Sequence, residues 1–357
     1  MQIDGHHTFT YIAARLAGFP HRQASIIAYS AQYVDDATNH GTIRFDNGAM
    51  YSRISSAHKT LDYRNSDALA NHRVWIPFHF LPGNDGKAAD ENTGRGFIKK
   101  LVCSADSPVA RDMLRACIND MDKPYGLHRL GIAMHVYADS WAHQGFAGVN
   151  HRMNEVSKMK SNNKSLDRKF FQKILNYFIS ETFPLGHGAA LSYPDIPSLV
   201  WEYKNGDNKK IKRNNLEMFV DATDKMCKAM QCYRAKDTMM NLDAMPGLPP
   251  ADKKKIKTLL RTIKGDSGKD RHKKWIKEIK QGSISFGSQD LSYIPKGRGS
   301  WKHQSIGQLK AADNEFDVFV YKESFMNSNW KKFHDALQAH RFDVLHDILP
   351  RYKICAA

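Results

Sequence analysis

The sequence has few cysteines and no long run of apolar residues. Its five cysteines are an odd number, and only Cys227 and Cys232 lie close together, as a single C-x4-C pair. One pair without a second is a weak zinc motif, and a scattered odd set argues against a disulfide framework. We therefore interpret all five as reduced thiols. The absence of a run of about 18 apolar residues excludes a transmembrane helix.

The first residues also lack the basic and apolar segments of a secretory signal. They read Met-Gln-Ile-Asp-Gly-His-His. We expect a protein that is cytoplasmic as synthesised, with export by a signal-independent route as the alternative.

Alternating strand-like patterns are rare, whereas amphipathic helical patterns recur, so we predict an all-α or mostly α fold. The hydrophobic content of 41% is enough for a large core. We divide the chain into a metal-binding catalytic helical domain (1–200), a Lys-rich insertion or subdomain (201–305) and C-terminal helices that pack on the first domain (306–357). Helices are predicted over 8–17, 21–35, 107–120, 127–143 and 165–181.

The positive charge is regional. The formal net charge is +16, and residues 204–280 contain 21 Lys or Arg against 10 Asp or Glu. Such a segment suits an anionic partner, which could be nucleic acid, a phosphorylated substrate or phospholipid headgroups contacted at a membrane surface. A solvated surface without a partner is the alternative.

The predicted helix over 127–143 is apolar nearly all round, which is typical of a buried helix. His135, Asp139 and His143 are spaced four apart, so they diverge by only ~80° in total and form one polar ridge. Burying an unpaired carboxylate costs several kcal/mol, and a divalent cation would compensate for it. The alternative is that these side chains pair with each other or with neighbours.

Other histidines and carboxylates could join this ridge. His151 and Glu155 are spaced H-x3-E shortly after the helix, and imidazole with carboxylate oxygens suits zinc or another hydrolytic divalent ion. Glycines flank His187 and permit close approach of a ligand. The remaining candidate residues are Asp4, His6, Asp35, Asp36, His58, His79 and Asp195.

The segment LGIAMHVYADSWAH, residues 130–143, resembles the metal helix of the zinc-dependent phospholipase C and single-strand nuclease superfamily. It is similar to the form in the glycosylphosphatidylinositol-specific phospholipase D branch, with Trp141 displaced by one position, and closest to an uncharacterised bacterial branch with an H-x3-D-x3-H helix. The other motif elements of this superfamily also occur along the chain in the same order. They are an N-terminal His, an Asp that ends an early helix, a later His, the metal helix and then H-x3-E. The resemblance covers residues 1–200.

The resemblance implies a phospholipase C/nuclease-like helical bundle with long loops, a basic helical insertion and two or three zinc ions, although another divalent metal could replace zinc. One ion would be bound by Asp35 or Asp36, His58, His135 and Asp139. A second would be bound by the N-terminal cluster and share Asp139. A third would be bound by His143, His151 and Glu155.

The secreted enzymes of this superfamily use the α-amino group of a processed first residue as a ligand. Met1 followed by Gln2 is a poor processing site, so we expect Asp4 or His6 to replace the amine.

The resemblance implies a metal-dependent phosphodiester hydrolase of the phospholipase C type, in which metal-activated water attacks the substrate. Whichever of Asp35 and Asp36 is not a ligand would act as general base. His79, His187 and Asp195 would bind substrate or serve as additional ligands. The alternatives are a single-strand nuclease of the same chemistry and a non-enzymatic, metal-stabilised effector or binding module.

Overall fold

The structure is a computed structural model that describes residues 1–58, 68–91, 96–167, 186, 188–265, 267–310, 313–314 and 316–356. The chain begins with a π-helical segment, Asp4–Phe9. The helices that follow are α1 (Thr10–Leu16), α2 (His21–Asp36), α3 (Ala68–Phe78), α4 (Phe97–Leu101), α5 (Pro108–Asn119), α6 (Gly126–Ala142), α7 (Asn215–Ala235), α8 (Pro250–Thr262), α9 (Gly268–Lys280), α10 (Trp301–Ile306), α11 (Asn329–Phe342) and α12 (Leu349–Arg351).

Two small sheets accompany the helices. Their strands are β1 (Gly41–Phe45), β2 (Met50–Arg53), β3 (Val156–Ser161), β4 (Val200–Asn205), β5 (Lys210–Asn214) and β6 (Val318–Phe319). One sheet has the order β2-β1-β6, with β6 parallel to β1, and the other is the antiparallel sheet β3-β4-β5. The mostly α prediction is therefore confirmed. The strands were not predicted, because segments of two to six residues are too short to show a clear alternation.

The predicted helices over 8–17, 21–35, 107–120 and 127–143 correspond to α1, α2, α5 and α6. The start of α5 is set by Ser107, whose Oγ accepts a hydrogen bond from the backbone N–H of Ala110 at 3.2 Å. The predicted helix over 165–181 lies almost entirely outside the described residues. Among the described residues, no helix combines the length and apolar composition that a membrane span requires.

Helix α6 runs through the centre of the fold and packs closely on α2. Gly131 makes this approach possible, because a Cβ atom there would lie 2.3 Å from the carbonyl oxygen of Ile27 and 2.5 Å from Cβ of Ser30. Both distances are far below van der Waals contact. The absence of a side chain at Gly131 therefore brings the polar ridge of α6 up to the C-terminal end of α2.

The three predicted parts of the chain share one hydrophobic core. A single cluster of buried residues contains Val136 from the first part, Trp275 from the second and Ile348 from the third. The Lys-rich region therefore contributes buried residues to the same core as the candidate site, whereas the lysines of α8 and α9 are exposed or half-buried.

Candidate metal centre

The carboxylate of Asp139, near the end of α6, lies at the centre of the candidate site and is almost completely buried. Its Oδ2 is 3.3 Å from Nε2 of His135 and 3.5 Å from Nδ1 of His79, and its Oδ1 is 3.2 Å from Nε2 of His6. An isolated buried carboxylate is strongly unfavourable. Groups from three separate elements offset the cost of burying Asp139.

Four ligand atoms converge in what we call the first group: Oδ1 of Asp35, Nδ1 of His79, Nε2 of His135 and Oδ2 of Asp139. The nitrogens of His79 and His135 are 3.2 Å apart, and Oδ1 of Asp35 is 3.8 Å and 3.9 Å from them. Helices α2 and α6 contribute three of these residues, and His79 follows directly after α3. Asp35, His79 and His135 lie close enough together to hold a metal ion, and Oδ2 of Asp139 lies 3.5 Å and 3.3 Å from the two nitrogens.

The two histidines of the first group are oriented by backbone carbonyls. Nδ1 of His135 is 2.7 Å from the carbonyl oxygen of Ala31, and Nε2 of His79 is 2.8 Å from that of Ser56. Because a carbonyl oxygen only accepts, each ring donates its N–H there, and in the neutral ring the other nitrogen carries a lone pair. Two lone pairs therefore face two carboxylate oxygens, an arrangement that only a cation relieves, whether a proton or a metal ion.

The second group lies on the other side of Asp139 and comprises His6, His135 and Asp139. The imidazole rings of His6 and His135 are stacked, with centroids 3.7 Å apart. The α-amino group of Met1 also donates a hydrogen bond to Oδ1 of Asp139 and lies 3.5 Å from Oδ1 of Asp195. We expected Asp4 or His6 to take the place of the α-amino ligand. Instead, His6 and the α-amino group of Met1 both lie beside Asp139.

The local electrostatics keep the ligand atoms of Asp139 and His6 available. Burial raises the pKa of Asp139, but the nearby histidines and the amine outweigh it and hold this pKa well below its usual range. For His6, burial lowers the pKa well below 6.5, and the proximity of His135 and of the Met1 amine lowers it further. Burial lowers the pKa of the Met1 amine, yet Asp139 and Asp195 raise it overall to about 10. Asp139 is therefore an anion and His6 a neutral imidazole at pH 7.

Asp4 is not brought into either group. Its Oδ2 is 2.5 Å from Nε of Arg271 and its Oδ1 is 3.3 Å from Nη2 of the same side chain. Both residues are buried, so the pair is a structural ion pair between the N-terminal segment and α9. Of the two N-terminal candidates, the structure places only His6 beside Asp139.

The two carboxylates at the end of α2 point in different directions because consecutive helical residues are about 100° apart. Asp35 faces α6 and joins the first group. Asp36 is exposed, and its Oδ2 accepts a hydrogen bond from the hydroxyl of Tyr293 at 2.5 Å. Of the two carboxylates between which the sequence did not decide, Asp35 is therefore the residue in position to bind metal.

His58 and His143 lie beside the first group without joining it. Both line a cavity of about 370 Å³ together with Asp35, His79 and Asp139. Nδ1 of His143 is 2.6 Å from the carbonyl oxygen of His79 and 3.7 Å from Oδ2 of Asp139. His79 thus takes the ligand position in the first group that we predicted for His58. His143 donates its Nδ1–H to a backbone carbonyl.

The predicted third ligand set is not assembled, because His151 and Glu155 are not on a helix. His151 precedes a 3-10 turn, Arg152–Asn154, and its Nδ1 accepts from the backbone N–H of Met153 at 3.0 Å. It lines a separate cavity with His72 and Phe97, while Glu155 is exposed. The H-x3-E spacing therefore does not direct both side chains toward His143.

Of the remaining candidates, Asp195 is buried near the Met1 amine and His187 lies outside the described residues. His79 is more central than its sequence indicated, since we predicted it only as a substrate contact or additional ligand. Arg271 was missed. Nothing in the local sequence distinguishes it from the many other basic residues of its region.

The sequence matches, over residues 1–348, a family described as "Family of unknown function (DUF6765)". No curated protein and no solved structure matches the chain. The matched region contains both metal-capable groups and the helices that position them. The chain belongs to the DUF6765 family.

Proposed function

We propose that this protein is a metal-dependent hydrolase of phosphodiesters. The observation that carries the proposal is the convergence of two imidazole lone pairs and two carboxylate oxygens in the first group. A structural zinc site is closed, whereas a catalytic site keeps access to solvent. Here the Asp35 side chain is 33% exposed and lines the 370 Å³ cavity, so the first group is reachable from outside.

Zinc is the ion that we propose for the first group. In a tetrahedral zinc site with bonds of about 2.0–2.1 Å, neighbouring donor atoms are about 3.3–3.4 Å apart. The separations of 3.2–3.9 Å among the ligand atoms of Asp35, His79 and His135 are compatible with this geometry. A second ion would be bound by His6 and Oδ1 of Asp139, with Asp139 bridging the two. Bound divalent ions would supply Lewis acidity and a water with a pKa near ~7.

The side chains around the ions would bind and orient the substrate. His58, Trp75 and Phe80 line the smaller cavity beside the first group. A larger cavity of about 610 Å³ shares Met1 and Asp35 with it, so one substrate could contact both. Asp36 lines this larger cavity and is the carboxylate that we propose as general base, since Asp35 is a ligand.

A phospholipase C-like activity and a single-strand nuclease activity use the same chemistry. The basic surface of 204–280 would contact an anionic membrane in the first case and a nucleic acid backbone in the second. A metal-stabilised binding module without turnover is the third candidate.

The test measures metal content and hydrolysis on the same preparation. We expect near-stoichiometric divalent metal by elemental analysis, and cleavage of bis(p-nitrophenyl) phosphate that EDTA abolishes and Zn²⁺ restores. Phospholipid vesicles and single-stranded DNA then separate the two substrate classes. Stoichiometric metal without turnover of any phosphodiester would contradict the hydrolase and support the binding module.

A further inference from the structure

The Lys-rich region forms one wall of the 610 Å³ cavity beside the metal centre. Ser267 and Lys269, at the start of α9, line the cavity, as do Tyr293 and Lys296 from the segment after that helix. The cavity volume lies in the range of small-molecule pockets, about 300–1,000 Å³. This region is therefore close enough to Asp35 to contact the same ligand.

The wall is attached to the N-terminal segment by close packing. A Cβ atom at Gly268 would lie 2.5 Å from Oε1 and 2.8 Å from Cβ of Gln2, so any other residue there would force Gln2 to shift. One turn later, Arg271 donates to Oε1 of Gln2 at 3.0 Å and forms the buried ion pair with Asp4. Lys269 lies between these two contacts, so its backbone is held at a defined place beside the cavity.

Positive charge exceeds negative charge in the lining of this cavity. Arg53, Lys269, Lys296 and Lys302 face two carboxylates, Asp35 and Asp36. Arg53 and Lys302 both pair with a buried carboxylate, Asp313, at 2.5 Å. In the part of the chain that the structure describes, neither Lys269 nor Lys296 forms an ion pair.

The carboxylates of the cavity do not neutralise these two lysines. Asp35 belongs to the first group, where a bound cation would compensate for its charge. Asp36 accepts a hydrogen bond from the hydroxyl of Tyr293 and, among the described residues, forms no ion pair with either lysine. Two cations thus line a cavity that extends to the proposed reaction centre. An anionic group is the ligand chemistry that such a pair attracts.

We propose that Lys269 and Lys296 form an anion subsite for a second phosphate of the substrate. This inference rests on the proposed function, because the phosphodiester to be cleaved would lie at Asp35 while the second anionic group lies at the lysines. The substrate class is then a phosphodiester with a further negative charge. A substrate with a cationic headgroup, such as a phosphocholine ester, is disfavoured by the same lysines.

Binding measurements test the subsite without requiring turnover. Calorimetric titrations of the Zn²⁺-loaded protein would compare thymidine 3′,5′-bisphosphate with thymidine 5′-monophosphate, and inositol 1,4-bisphosphate with inositol 1-phosphate. We expect at least one bisphosphate to bind about tenfold more tightly than its monophosphate. Preference in the thymidine pair indicates a nucleotide source for the second phosphate, and preference in the inositol pair a lipid headgroup.

The double variant Lys269→Gln/Lys296→Gln should lose this preference while keeping its metal content and thermal stability. Lys273→Gln/Lys277→Gln is the matched control, because both lysines are exposed on α9 outside the cavity lining. An unchanged preference in the first double variant, or no preference in either ligand pair, would overturn the subsite. A lysine-dependent preference without hydrolysis of any phosphodiester would instead contradict the proposed hydrolase activity and support the anion subsite.

Discussion

Nδ1 of His79 lies 3.2 Å from Nε2 of His135, although the two residues are 56 positions apart in the chain. Each ring donates its other N–H to a backbone carbonyl, so the contact joins two acceptor nitrogens beside Asp35 and Asp139. This relationship identifies His79, and not His58 or His151, as the second imidazole of the first group.

We expect His79→Ala to lose the metal of the first group, because the ion would lose one of its two imidazole ligands. Metal affinity should fall by at least about tenfold, measured by competition with a chromogenic chelator. His151→Ala is the matched control and should keep wild-type affinity, since His151 lines a separate cavity. Loss of metal in the His151 variant with retention in the His79 variant would support the ligand set expected from sequence.

Asp139→Asn should remove metal and also destabilise the metal-free protein. The amide keeps the size of the side chain but leaves the buried Met1 ammonium with only Asp195, at 3.5 Å, as a charged partner. Breaking a buried ion pair of this kind costs about 3 kcal/mol or more. Urea unfolding in EDTA measures the change, with Asp122→Asn as the control because that side chain is 84% exposed. Unchanged metal content in Asp139→Asn would contradict the bridging role.

Arg271→Met should destabilise the fold by about 3–5 kcal/mol, since it leaves the carboxylate of Asp4 buried without its partner. The double variant Arg271→Met/Asp4→Leu should recover part of this loss, because no buried charge then remains. Lys280→Met, at an exposed ion pair with Asp290, should change stability little. Equal effects of the Arg271 and Lys280 variants in urea unfolding would show that the Asp4–Arg271 pair has no structural role.

Gly131→Ala should weaken both the fold and the metal centre, although alanine favours a helix by about 1 kcal/mol over glycine. The new methyl group would meet the carbonyl oxygen of Ile27 at 2.3 Å, so α2 and α6 must separate. We expect a net loss of stability of about 1–3 kcal/mol and lower metal affinity, because Asp35 moves away from His135. Unchanged stability and affinity would mean that the two helices do not approach this closely.

The metal-free protein should become less stable as the pH falls below about 6.5. Burial lowers the pKa of His128 and of His334 from 6.5 to about 3, so the unfolded chain takes up these protons at a pH where the folded protein does not. Between those values each histidine contributes a slope of about 1.4 kcal/mol per pH unit. Urea unfolding at several pH values in EDTA measures the slope.

His128→Gln, which cannot be protonated, should reduce that slope by about one histidine's contribution. A profile that is flat between pH 6.5 and 4.5, or a variant with the full wild-type slope, would show that His128 is accessible to protons in the folded state.

The sequence was sufficient to predict the helical class and the ridge of α6. A helical period is a local property, and an apolar helix with one polar ridge is buried wherever it packs. His135 and Asp139 therefore follow from spacing alone, and the nearby His6 was identified from its place at the start of the chain. The DUF6765 match covers all three residues without assigning them a role.

The rest of the centre was decided by the tertiary structure. The choice of Asp35 over Asp36 depends on which face of α2 meets α6, and His79 enters because α3 ends beside both helices. His151 and Glu155 follow the expected spacing, yet the chain leaves the helical path after His143, and the spacing then sets no common direction. Likewise, one core containing Trp275 with Val136 brings the Lys-rich wall to the cavity. Ligand spacing within a helix is local, whereas the meeting of side chains from α2, α3, α6 and α9 depends on contacts between residues far apart in the sequence.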